Sequence, residues 1–262
     1  MILLSFDTEE FDFPREQGHE FSLQSGMRIS SLGTKRILDV LQKTGVKATF
    51  FCTANFVKHA PELTKRIIAE GHELACHGVD HFQPQTTDVI KSKQLIEKAT
   101  SQKTYGYRQP RMMPTKNSDF KKAHYLYNAS LNPAFIPGRY MHLSEPRTPF
   151  IEDDIVQIPA SVTPHLRLPL FWLSFRLLPV HIYNRWARRV LKHDQLLVMY
   201  SHPWEFADLA TEKSLKLPYI IKHNSGKIVT KRLENFIKTF QKQGAEFSTY
   251  TEYTKKFLKQ NK

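Results

Sequence analysis

Short apolar runs and amphipathic stretches alternate along this chain from its first residues, and few architectures accept that order. "ILLSF" reads as a buried strand, followed by "SSLGTKRILDVLQKTGV" with Leu32, Ile37, Leu38 and Leu41 at helical spacing, a Ser start and Gly45 as a stop. "KATFFCTA" is a second buried strand, and "APELTKRIIAEGH" a helix with Pro61 near its first turn and Gly71 past its end. "ELACH" and "KTYGYR" repeat the exchange with "TDVIKSKQLIEKATS" and "NSDFKKAHYL". The pattern predicts an α/β fold, a parallel sheet with crossover helices. Further on, "DDIVQIP" and "QLLVMYSH" read as strands, "VTKRLENFIKTFQKQG" as a helix, and "EFSTYTEYTKKFLK" as a closing strand and helix. No repeat or low-complexity tract divides the 262 residues, so a single domain over 1–262 is expected, with a long loop or insert at about 131–193.

In parallel α/β folds functional groups gather at the carboxyl ends of the strands. Asp7 and Glu9 follow the first strand, Cys52 and Asn55 the second, and His77 and His81 the third; Arg108 and Pro110 follow the fourth, and His202 follows "LLVMYS". The segment "SFDTEEFDFP" sets Asp7, Glu9, Glu10 and Asp12 close together in a chain whose formal net charge is +13. Like charges this near repel, so the cluster costs stability unless something positive binds there. "HGVDH" spaces His77 and His81 so that one helical turn would bring both to a single ion. Two His and a carboxylate, with positions left for water, form the ligand set of a hydrolytic metal site. One acid would hold the metal and another would remain free as a base.

The ordered set "SFDTEE", "ATFFCTANFV", "GHELACHGVDH", "YGYRQP" and "LLVMYSHPWEF" resembles the polysaccharide deacetylases of the NodB-homology type, carbohydrate esterase family 4, from residue 1 to about residue 208. The resemblance implies a distorted (β/α) barrel of about seven parallel strands and metal-dependent removal of an acetyl group from a sugar. It makes Asp7 the base and Glu9 a metal ligand, through a first motif in which one residue separates the two acids; Glu10 or Asp12 could replace Glu9. It makes His77 and His81 the other ligands, Arg108 the partner of the base, and His202 the catalytic acid. The implied metal is zinc, with cobalt, nickel or manganese as alternatives. The backbone N–H of Arg111, after Pro110, would stabilise the developing oxyanion, and Arg111, Pro110 and Trp204 would line the substrate site. Asn128 stands where many relatives carry an Asp near the catalytic His, so Glu205, Asp153 or Asp154 would orient His202.

The balance of 38 basic to 25 acidic residues admits anionic partners, but zinc-finger spacing, an aromatic RNP-type strand and arginine blocks are lacking, so no nucleic-acid partner is expected. Cys52 and Cys76 make no disulfide framework and read as buried free thiols. "MILLSFDTEE" lacks a basic n-region and no apolar run is long enough to span a bilayer, which points to the cytoplasm. "HLRLPLFWLSFRLLPVHIYNRWARRVLK" interleaves Leu, Phe and Trp with Arg and is broken by Pro169 and Pro179. It reads as a folded-back core segment, or as a surface with Arg176, Arg185, Arg188 and Arg189 that contacts the inner face of a membrane. The expected activity is sugar N-deacetylation on a nucleotide- or lipid-linked precursor of a surface polysaccharide. An allantoinase-like amidase and a non-catalytic glycan-binding scaffold are the alternatives.

Overall fold

The computed structural model describes residues 1–136, 140, 141, 143–212 and 215–261, with the backbone alone for 136, 140 and 141. Strands β1 (Ile2–Thr8), β2 (Thr49–Cys52), β3 (Glu73–Cys76), β4 (Gly106–Tyr107) and β5 (Tyr127–Asn128) are joined by helical crossovers. Two short strands, β6 (Phe135–Ile136) and β7 (Tyr140–Met141), pair with each other outside the main sheet. That sheet continues through β8 (Phe150–Glu152), β9 (Ile155–Gln157), β10 (Leu197–Ser201) and β11 (Phe247–Ser248). Its order is β10-β1-β2-β3-β4-β5-β9-β8, with β11 added beside the first residues of β1. Every pairing from β10 to β9 is parallel, and only β8 runs antiparallel to its neighbour. The sheet curls into a half-barrel, and the gap between its two sides is bridged where Ser161 N–H donates to Val198 O at 3.0 Å. Seven parallel strands lie on the path from β10 to β9 among the described residues, in keeping with the distorted (β/α) barrel.

The two-residue period of β1 sorts its side chains. Ile2, Leu4 and Phe6 pack with Phe50, Leu38 and Phe236 in the layer under the helices, and Leu3 packs with Phe51, Tyr127 and Tyr250 inside the curl. All seven residues of β1 are buried, which is why the run reads as continuously apolar. The same period turns Ser5 and Asp7 to the inner face with Leu3. Each buried Phe or Leu contributes about 1.5–3 kcal/mol, and Asp7 is positioned by that packing.

The main helices are α1 (Phe13–Glu16), α2 (Leu23–Thr44), α3 (Ala54–His59), α4 (Pro61–Ala69), α5 (Asp88–Thr100), α6 (Asn117–Lys122), α7 (Trp172–Leu177), α8 (Val180–Asp194), α9 (Tyr219–Lys222), α10 (Lys227–Lys242) and α11 (Tyr250–Gln260). Helix α2 starts a full two turns before the Ser31 region expected from the sequence. Its N-cap is Ser22, whose Oγ accepts the Ser25 N–H at 3.1 Å, and Gly45 ends it at φ 68°. Gly26 and Gly33 lie inside the helix because other backbone comes too close for a Cβ. A Cβ would lie 2.4 Å from Phe11 O at Gly26 and 1.7 Å from Pro203 O at Gly33.

The segment 131–193 supplies β8 and β9 to the sheet, as well as α7 and α8. Residues 137–139 and His142, within the stretch expected as loop, lie outside the described residues. Pro169 and Pro179 separate α7 and α8 from what precedes them, and Arg176 is wholly buried, so it cannot belong to the membrane-facing surface expected for it. Arg185, Arg188 and Arg189 are exposed on α8. No helix of the described residues is long and apolar enough to cross a membrane.

Candidate metal centre and active site

The carboxyl ends of β1, β3, β4 and β10 converge on one cavity of about 180 Å³ lined by Asp7, Glu9, His77, His81, Arg111 and His202 among others. Glu9 Oε2 lies 3.2 Å from both His77 Nε2 and His81 Nε2. All three side chains are buried, and the rings of the two histidines face each other 5.9 Å apart at 22°. His77 Nδ1 donates to Arg108 O at 2.8 Å. Because a carbonyl only accepts, Nδ1 carries the hydrogen and the Nε2 of neutral His77 presents a lone pair to the Glu9 carboxylate. Two acceptors aimed at each other in a buried place fit a cation between them.

The other groups complete that fit. Asp12 Oδ2 accepts from His81 Nδ1 at 2.9 Å, and Trp204 Nε1 donates to the second Glu9 oxygen at 3.3 Å. Each candidate ligand therefore has an orienting partner, the arrangement that fixes tautomer and direction in metal sites. Burial would raise the Glu9 carboxyl, but the charge of His81 outweighs it and the carboxyl falls to about 2. Burial would lower His81, and Glu9 with Asp12 instead lifts it to about 9. The negative potential of this corner is thus strong enough to hold a proton on His81 when nothing else balances it, and a divalent cation would take that place.

Of the acids proposed from the sequence, Glu9 meets the two histidines. Glu10 is turned toward Thr53 Oγ1 (2.8 Å), Asn55 Nδ2 (3.3 Å) and the backbone N–H of His81 (3.2 Å), and burial raises its carboxyl. It braces the histidine loop and lies outside the cluster of Glu9, His77 and His81. Asp12 acts on the far nitrogen of His81. Asp7 Oδ1 accepts from Arg108 Nη1. Arg108 is 1% exposed and is itself fixed by Ser5 Oγ (3.0 Å), Tyr250 Oη (2.8 Å) and Ala129 O (3.1 Å), with Phe51 beneath it at 4.1 Å.

His202 stands across the cavity with its ring on Trp204 at 5.0 Å and 19°, and against the edge of Trp172 at 5.4 Å. Its Nδ1 lies 3.2 Å from Glu205 Oε1, which also accepts the His202 backbone N–H at 2.7 Å. Burial acts to lower His202, but the Glu205 hydrogen bond and the charges of Glu9, Glu205 and Asp7 raise it overall. Asp153 and Asp154 do not reach it; they form the β8–β9 turn at φ 50° and 64°, near Asn117 and Lys121. Asn128 is bonded to Gln157 and Ser130 instead.

Arg111 adopts φ 58° in the turn after Pro110, with Nη2 at 2.6 Å from Glu16 Oε1 and 3.8 Å from Asp12 Oδ2. It lines the cavity with Trp204, while buried Pro110 packs under Gly78 and Phe206 belongs to the core. Trp204 has the additional place beside Glu9 that its sequence position does not signal. The other unforeseen group is Arg176, whose Nε lies 3.7 Å from Glu205 Oε2 with both side chains fully buried. Its two Nη atoms donate to the Ile220 and Ile221 carbonyls.

Two regions of the chain match known families. Residues 2–126 match the family model of the polysaccharide deacetylases, and residues 129–254 match a second described as a domain of unknown function, DUF3473. The first of these regions, just under half of the chain, is thus similar to the polysaccharide deacetylases of NodB-homology type. Asp7, Glu9, His77, His81 and Arg108 fall in the first region, and Arg176, His202, Trp204 and Glu205 in the second. A Bacillus subtilis peptidoglycan-N-acetylmuramic acid deacetylase is 42% identical over 62 residues, 23% of this chain and 24% of its own length. A Bradyrhizobium chitooligosaccharide deacetylase is 48% identical over 48 residues, 18% of this chain and 22% of its own. The matches thus span under a quarter of these relatives. A solved Mycobacterium smegmatis structure bearing the polysaccharide deacetylase label superposes with a TM-score of 0.69 at 15% identity, over 99% of this chain and 90% of that one, a likeness of fold.

Proposed function

We propose that the protein removes the acetyl group from an N-acetylated sugar with the help of a divalent metal. The observation that carries this is the convergence of Glu9, His77 and His81 on one point, with the Arg108-held carboxylate of Asp7 in the same cavity. Glu9 Oε2, His77 Nε2 and His81 Nε2 would hold the cation, which when bound supplies Lewis-acid chemistry, activating water and polarising a carbonyl. Zinc suits two imidazoles and a carboxylate; cobalt, nickel and manganese share those donors.

The chain's own groups do the rest. Asp7 takes the proton of the attacking water, and Arg108 holds that carboxylate in place. His202, protonated and held by Glu205, gives a proton to the departing sugar nitrogen, the step that makes an amine a competent leaving group. The left-handed turn at Arg111 lies on the cavity wall, and the N–H of Arg111 is the candidate donor to the developing oxyanion. Trp172 and Trp204 form an aromatic part of the cavity wall beside His202. The finer reading, a precursor of a surface polysaccharide carried on a lipid or nucleotide, rests on the family resemblance and the cytoplasmic location expected from the sequence.

The test is acetate release from N-acetylated oligosaccharides by the zinc-loaded protein and its Asp7→Asn variant, with metal content measured in both. Turnover should fall about 10²–10⁴-fold while bound metal is unchanged. Full activity in the variant, or a purified protein that takes up no divalent metal, would sink the reading. Ring opening of a cyclic amide without acetate release would favour the amidase alternative.

A further inference from the structure

Helices α8 and α10 run side by side in the same direction. Arg232 Nη2 donates to Leu178 O at 2.5 Å, the rings of Tyr183 and Phe236 lie 6.0 Å apart, and Arg188 Nε donates to Gln243 Oε1 at 3.2 Å. Their first turns therefore lie at one end of the molecule. Helix α9 is tied to the same end, since Arg176 donates to the Ile220 and Ile221 carbonyls and Asn224 Nδ2 donates to Arg176 O at 3.0 Å. Four apolar side chains reach solvent there: Val180, Tyr219 (68% exposed), Ile220 and Ile228 (59% exposed). From residue 213 to residue 233 the chain carries six Lys and Arg and no Asp or Glu. We propose that this end of the molecule docks on the surface of an anionic lipid bilayer.

The placement of the charges points to an anion outside the protein. Helices α8, α9 and α10 have no acid in their first turns, and α10 opens on Lys227, at the positive end of its own dipole. A cation there weakens the helix, so the fold gains nothing from it. Lys231 is drawn toward Glu234 at 3.8 Å, but Lys216, Lys222 and Lys227 make no ion pair among the described residues. Their charge is left for a partner. Each Lys beside an anionic membrane strengthens attachment about fivefold, so a group of them acts over a useful range.

The apolar side chains decide which polyanion fits. Single exposed apolar residues are ordinary, whereas a group of them at one end marks a contact. Against a nucleic-acid backbone Ile220, Ile228 and Val180 would remain wet. At a bilayer they enter the boundary between headgroups and acyl chains, while lysines extend to the phosphates. Tyr219 is stacked on His223 with centroids 4.5 Å apart at 25°, which holds an amphipathic ring of the kind that settles at that boundary. On the inner side of α9, Ile221 lines the active-site cavity. Docking would thus bring the cavity beside the headgroups, where a lipid-carried sugar is presented. That consequence rests on the deacetylase reading; the docking itself does not.

The experiment is flotation of the full chain with vesicles of phosphatidylcholine alone and of phosphatidylcholine mixed with phosphatidylglycerol, at low and high salt. At low salt the mixed vesicles should bind at least tenfold more tightly than the neutral ones, and high salt should remove most of that difference. Lys222→Glu combined with Lys227→Glu should cut binding to mixed vesicles at least tenfold, and Tyr219→Ser combined with Ile228→Ser at least fivefold. Thermal midpoints of both pairs should stay near that of the wild type, because these side chains reach solvent. No binding to mixed vesicles, equal binding to both kinds, or binding intact in either pair of variants overturns the surface. Tighter binding of double-stranded DNA than of vesicles at equal phosphate, undiminished in the Tyr219→Ser and Ile228→Ser pair, overturns it in favour of nucleic acid. Acetate release from a soluble oligosaccharide separates the two readings. A protein that releases acetate and ignores vesicles loses the docking surface alone, and one that binds vesicles through these residues and releases no acetate loses the deacetylase reading alone.

Discussion

His202 is charged through its partner. Its imidazole is buried, which alone would favour the neutral ring, and the carboxylate of Glu205 reverses that preference. A proton donor whose pKa is raised stays loaded to higher pH, so the alkaline limb of the pH–rate profile should lie above the ordinary histidine value of 6.5. Glu205→Gln keeps the shape and the acceptor but removes the charge, and should move that limb to lower pH; a limb that does not move would assign the acid to another group. The same substitution leaves the buried Arg176 without its counter-charge, so stability should also fall by about 3–5 kcal/mol. His72 behaves in the opposite sense and far from the site. Burial lowers it to about 4 from 6.5, while its Nδ1 accepts the Ala48 N–H at 3.4 Å. Between those two values the unfolded chain binds the extra proton, so stability is complete above pH 6.5 and drains away as pH falls through 4. Urea melts across pH 4–7 should show this slope flattened in His72→Gln, and an unchanged slope would assign the acid lability elsewhere. These residues show what a sequence can convey about a site. Asp7, Glu9, His77, His81, Arg108 and His202 were legible because each follows a strand and sits in a recognisable motif. Glu10 was ambiguous because adjacent residues on an irregular segment turn to different sides, which only the packing of Thr53 and Asn55 decides. Arg176 gave no signal, since its partner Glu205 is distant in sequence and its neighbours are apolar.

At the scale of elements, β1, β2 and β10 were readable because they are buried on both faces and therefore rich in apolar residues, and α4, α5 and α10 carried clear stops or periodic faces. The start of α2 was not, because Gly26, a poor helix former, lies in its first turns. Gly33 shows why such residues are there. In an exposed helix Gly→Ala gains about 1 kcal/mol, but at Gly33 the added methyl would meet the carbonyl of Pro203, the residue following His202. The turn Pro203–Phe206 packs more closely on α2 than on any other helix, and backbone cannot yield as a flexible side chain would. Gly33→Ala should therefore lose about 1–3 kcal/mol, the usual cost of overpacking. On the proposed role of His202 it should also lower kcat more than it raises KM, since that ring is displaced while much of the cavity wall is untouched. A gain in thermal midpoint with full turnover would mean that the turn and the helix can separate without consequence.

For the molecule as a whole, the boundary between the two matched regions near residue 127 cuts through one hydrogen-bonded sheet. β1 lies between β2 on one side and β10 on the other, and β11 completes its first residues, so the opening strand depends on partners near residues 197 and 247. Arg108 belongs to the first region, but two of its four hydrogen-bond partners, Ala129 and Tyr250, belong to the second. Removing the second region would expose one edge of β1 and leave a buried guanidinium with Asp7 and Ser5 alone, and breaking such a buried charged network costs about 3–5 kcal/mol. That loss is comparable to the whole stability of a typical domain, about 5–15 kcal/mol, before any loss of apolar burial is counted. Residues 1–126 expressed alone should thus show no cooperative thermal transition and no zinc uptake at the affinity of the full chain, although Glu9, His77 and His81 are all present. Circular dichroism melts and metal titration of the fragment measure both. A sharp melt with native zinc affinity would mean that the first region folds by itself and that the second is an attachment, in which case the Glu205–His202 pair would be an addition to a centre already complete.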